Sequence, residues 1–130
     1  MTAMTTVRAS TVRTRAWCLA ADVLSIVVFV AIGRRNHDEG VAPTGVVETA
    51  APFLVALLVT WLVALVWRDP LSPRSGAITW VGTVALGMVL RKVVFDDGTA
   101  TAFVIVATVF VGAVLNGWRA IARWRLASRT

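Results

Sequence analysis

Asp22 is the residue of this chain placed to do chemistry, because it lies five positions into an apolar stretch that opens at Trp17 and runs on through Phe29 to Gly33. At 1.5 Å of helical rise per residue it sits about 7–8 Å inside a hydrocarbon boundary. An ionised carboxylate there costs at least about 2–3 kcal/mol unless it is paired or hydrated. Two readings follow. Asp22 takes up a proton or cation along a transport path, or it is a buried hydrogen-bonding clamp between helices. Thr60, Thr83 and Asn116 reach a similar depth from other apolar stretches, Ser25 shares its face, and Arg119 reaches inward from the boundary. Asp22, Ser25, Thr60, Thr83 and Asn116 form the expected intramembrane polar cluster.

A second group, Arg34, Arg35, His37, Arg91 and Lys92, falls at the opposite ends of the apolar stretches. It either takes an anionic headgroup or solute at an outer mouth, or Arg91 and Lys92 snorkel to water along their aliphatic stems and His37 is a solvated loop residue. His37 is the chain's one histidine and Cys18 its one cysteine. Neither a zinc site nor a Cys-x-x-Cys motif can be built from them, and Cys18 reads as a packing residue. No nucleophile stands at catalytic spacing from a base, and Asp22 and His37 lie toward opposite membrane faces. The reading is therefore non-enzymatic, with no cofactor and no metal.

The elements that position these residues are four apolar runs at about 17–33, 49–67, 77–95 and 101–118. Each matches the roughly 17–25 residues that a helix needs to cross a ~30 Å core. A composition of 58% hydrophobic and 15% charged residues, against about 45–50% and 25% in soluble domains, leaves nothing to build an extramembrane domain. The fold class is all-α: an integral membrane four-helix bundle over 16–119, made of two transmembrane hairpins. Residues 1–15 read as a disordered basic leader and 120–130 as a basic tail. Retention of the first run is expected, because it is too long and too charged for a signal-peptide core.

With four spans, Arg8, Arg13, Arg15, Arg68, Arg74, Arg119, Arg123, Arg125 and Arg129 share one side, against Arg34, Arg35, Arg91 and Lys92 on the other. The positive-inside rule then puts both termini in the cytoplasm, in a multi-pass protein of the plasma membrane. Trp17, Trp67, Trp80 and Trp118 fall at the same ends, where an amphipathic indole prefers headgroup level. The net charge of +6 is thereby explained by topology, and nucleic acid is not an expected partner. Arg119, Arg123, Arg125 and Arg129 form a surface-lying basic tail for anionic lipids at the cytoplasmic face.

The two hairpins read alike. Arg34-Arg35, Asp38-Glu39-Gly40, Thr49-Ala50-x-x-Phe53 and Trp67-Arg68 are echoed by Arg91-Lys92, Asp96-Asp97-Gly98, Thr99-Ala100-x-x-Phe103 and Trp118-Arg119. Either the hairpin is duplicated about an axis along the membrane normal, or topology imposes the same punctuation twice. Lipid gives helices no hydrophobic drive to associate, so small and polar residues at four-residue spacing must do so. Pro52, Ala56, Thr60 and Ala64, then Thr83 and Gly87, then Thr108, Gly112 and Asn116, and the Cys18, Asp22, Ser25, Phe29 face supply them. Pro52 is expected in the first turn of its span, where a missing N–H costs nothing.

Asp22, the run Phe29-Val-Ala-Ile-Gly33-Arg34-Arg35-Asn36-His37, Ala51-Pro52-Phe53, Trp67-Arg68-Asp-Pro70, Trp80 and Gly87-Met88-Val-Leu-Arg91 resemble the small four-span membrane family catalogued as domain of unknown function 3054. The resemblance covers about Trp17 to Arg119. It implies the same architecture, singles out Asp22, Arg34, His37 and Arg91, and implies no activity. The expected role is a scaffold or accessory subunit that packs against itself, as a homo-oligomer, or into a larger membrane complex. The alternative is a small oligomeric proton- or cation-coupled transporter or channel using Asp22.

Overall fold

The computed structural model of the protein describes residues 2–36, 42–94 and 101–128. Four α-helices follow one another: α1 over Thr2–Asn36, α2 over Pro43–Val63, α3 over Pro73–Val93 and α4 over Thr101–Ser128, with a short 3-10 helix at Val66–Arg68. Each packs on its neighbour in the chain, and α1 closes the ring against α4. This is the up-down-up-down bundle. All four contain a stretch long and apolar enough to cross a membrane, at Val12–Arg34, Pro43–Val63, Pro73–Val93 and Ala102–Ser128.

The helix ends depart from the expected ones for local reasons. α1 begins at Thr2, through the leader expected to be disordered; with no glycine before Gly33 and no proline before Pro43, nothing stops a helix nucleated in the apolar run from propagating backward. α2 and α3 start earlier than expected, at Pro43 and Pro73, each a proline at the opening of its helix. Proline's fixed φ suits that position and its missing N–H is not needed there. Pro52 consequently lies in the interior of α2, where it leaves the Glu48 carbonyl without its helical donor. It is therefore not in the first turn of its helix, where the sequence predicts it. α2 stops at Val63 and not at Trp67, because Leu65 adopts the left-handed conformation at φ 57°, which ends a helix. The chain turns there to bury Val66. α4 continues unbroken to Ser128, so the expected surface-lying tail is the same helix prolonged.

The interior is filled by Ile26, Phe29, Phe53, Leu57, Val84, Ala107, Val111 and Leu115. Phe29 meets Phe53 edge-on at 6.3 Å and Phe110 at 5.4 Å between ring centroids, and Phe103 joins them. Glycines let the helices close on these side chains. A Cβ on Gly87 would lie 2.5 Å from the Phe53 ring, and one on Gly112 2.5 Å from the Trp80 indole. Outward, Leu24, Val28, Leu58, Leu62, Val81, Val89, Ile105 and Val109 are exposed, an apolar girdle far beyond the scattered apolar residues that a water-facing surface carries.

Candidate functional site

Asp22 and Arg119 meet at the end of the bundle where α2 gives way to α3, and both side chains are fully buried. The contact is bidentate: Arg119 Nη1 donates to Asp22 Oδ1 and Nη2 to Oδ2, each at 2.7 Å. Two indoles complete the carboxylate's shell, with Trp118 Nε1 donating to Oδ1 at 3.0 Å and Trp61 Nε1 to Oδ2 at 2.9 Å. Each carboxylate oxygen thus accepts twice, which exhausts its lone pairs.

The guanidinium is held as completely. Arg119 Nε donates to the Pro70 carbonyl at 2.7 Å and Nη1 also to Leu115 O at 3.1 Å, so four of its five N–H groups are used. Its plane lies 4.5 Å from the Trp118 ring centroid. Gly76 of α3 sits against Arg119 Cδ and Asn116 Oδ1, where a Cβ would come within 3.0 and 2.5 Å. The node therefore joins α1, α2 and α4 to the α2–α3 connection and leans on α3.

The remaining members of the expected polar cluster do not join it. Ser25 Oγ donates to Ala21 O, Thr60 Oγ1 to Ala56 O and Asn116 Nδ2 to Gly112 O, each turning back on its own helix. The Thr83 hydroxyl is buried without a hydrogen-bond partner, as is that of Thr79 one turn earlier. Local i−4 carbonyls satisfy short hydroxyls more readily than a distant carboxylate does. Trp61, Trp118 and the Pro70 carbonyl were not expected in the site. Indoles closing a span signal headgroup level first, and only a bonding partner far along the chain turns them inward.

The basic groups divide by surroundings. Arg119, expected both as the start of the membrane-surface tail and as a group able to reach inward to Asp22, is the core cation of the node. Arg123 donates to Leu71 O at 2.7 Å, a second grip of α4 on the α2–α3 connection. Arg125 is exposed, and Arg129 lies outside the described residues. At the other end, Arg34 Nη1 donates to Thr49 Oγ1 at 2.8 Å and its guanidinium lies on Gly45. Arg91 stacks 4.4 Å over Phe103, and Lys92 is exposed. Arg35 lies in the last turn of α1, its side chain outside the described set; His37 lies outside the described residues altogether. Among the described residues no three metal-ligating side chains come together.

The carboxylate's acceptor positions are thus all taken by donors of Arg119, Trp61 and Trp118. These bonds tie α1, α2, α4 and the α2–α3 connection to one another. A family model described as protein of unknown function (DUF3054) matches residues 19–122, a stretch that contains the whole node. No curated protein and no solved structure matches the chain.

Proposed function

The chain belongs to the DUF3054 family of proteins of unknown function, and on that premise we propose that it is an integral multi-pass membrane protein acting as a non-enzymatic scaffold or accessory subunit. It lies in the plasma membrane with both termini in the cytoplasm, its exposed apolar girdle facing lipid and its basic end meeting anionic headgroups. It packs against a second copy or a larger membrane partner. The four apolar helices and the outward-facing leucines and valines support insertion. The distribution of arginine supports the orientation.

One observation carries the choice of scaffold over transporter. Asp22, the acid that coupled transport would use, is fully buried and fully bonded by Arg119, Trp61 and Trp118. The test is flux in proteoliposomes carrying the purified chain under a proton or sodium gradient. No flux above empty vesicles is expected. Flux in the wild type that disappears in a folded Asp22→Asn/Arg119→Met variant would replace this reading with the transporter.

A further inference from the structure

At the same end of the bundle as the node, two more guanidinium groups converge on one indole. Arg15 Cζ of α1 lies 5.4 Å from the centroid of Trp67, and Arg68 Cζ of the 3-10 helix lies 5.5 Å from it. The two cations are therefore within twice that distance of each other. Among the described residues neither has a carboxylate within ion-pair range. Arg15 Nε is buried and donates to nothing. Trp67 Nε1 likewise meets no acceptor among the described residues, although Trp61, Trp80 and Trp118 each donate to a carboxylate or carbonyl. The described residues bring two positive charges and a spare indole donor together with no anion among them.

We infer that Arg15, Trp67 and Arg68 form a phosphate-binding site, filled by the headgroup phosphate of an anionic lipid. Guanidinium forks match phosphate oxygens two at a time, and an indole at the lipid–water boundary offers a donor beside an apolar face. The choice of a lipid as the source rests on the membrane reading proposed above. Arg68 is exposed and Arg15 and Trp67 are half-buried, so a headgroup reaches the site from outside while its acyl chains lie along the girdle. The site differs from a diffuse basic surface in using two named cations on separate elements, tied by one ring.

The test measures lipid retained by the purified chain in mild detergent, by native mass spectrometry, as phosphatidylglycerol or phosphatidylcholine is titrated. Wild type should retain phosphatidylglycerol at about 30-fold lower concentration than phosphatidylcholine, the preference that two basic residues at headgroup level confer. Arg15→Gln/Arg68→Gln should erase that preference, and Arg13→Gln/Arg125→Gln, which removes the same charge from exposed positions, should keep it. Equal loss in both double variants, or no preference in wild type, overturns the site. Inorganic phosphate that displaces phosphatidylglycerol from wild type supports the site and assigns it to a soluble phosphate. Resistance of the chain to carbonate extraction from membranes is read in parallel. Its failure removes the membrane reading, whereas extraction resistance without lipid preference removes only the site.

Discussion

At the scale of single residues, the Asp22–Arg119 pair exchanges two large desolvation costs for a bidentate contact and four further hydrogen bonds. Such a pair adds little net stability over apolar residues of the same shape, yet stranding one partner costs about 3–5 kcal/mol. Asp22→Asn and Arg119→Met should therefore each destabilise the bundle by that amount, and the double substitution should recover most of the loss. Unfolding of the four proteins in detergent checks this, and additive single effects would refute the clamp. The need for a partner was legible from the depth of Asp22 alone, and Arg119 stood among the candidates. The two indoles were not legible, because 39 and 96 residues of chain separate Trp61 and Trp118 from the acid they serve, and their type points equally to a headgroup boundary.

At the scale of the helices, apolar length was enough to find all four, and small residues at four-residue spacing marked the faces that meet. Their ends were less legible. Leu65 takes a conformation that glycine usually supplies, so nothing in its type announces that α2 stops before Trp67. Glycines likewise look alike in sequence and differ in the bundle. Gly87 faces the Phe53 ring with no room for a methyl group, while nothing lies within 4 Å of a Cβ on Gly117. Gly87→Ala should cost about 1–3 kcal/mol through overpacking. Gly117→Ala should gain about 0.5–1 kcal/mol from backbone entropy. Thermal unfolding of both in the same detergent gives opposite signs if α2 and α3 close as described.

At the scale of the whole molecule, the two hairpins repeat in punctuation but not in chemistry. The register that sets Trp67-Arg68 on Trp118-Arg119 gives two equivalent pairs at the same end, and the register that sets Arg34 on Arg91 sets Asp22 on Thr79. Among the described residues only one of the two pairs has an acid. Trp118-Arg119 closes on Asp22, whereas Thr79 offers a buried hydroxyl with no partner and Trp67-Arg68 turns to Arg15 instead. Because the acid of the first hairpin is taken by the arginine of the second, Arg68 of the first hairpin is left beside Arg15 with no acid among the described residues. That asymmetry concentrates positive charge at the end carrying Arg13, Arg15, Arg68, Arg74, Arg123 and Arg125, which the proposed orientation places in the cytoplasm. Membrane-impermeant maleimide on intact cells tests it in a Cys18→Ser background, with single cysteines introduced at Thr5, Asp69 and Ser128 on one side and at Thr44 on the other. Labelling of the Thr44 site alone is expected. Labelling of any of the other three would turn the bundle over and place the basic end outside.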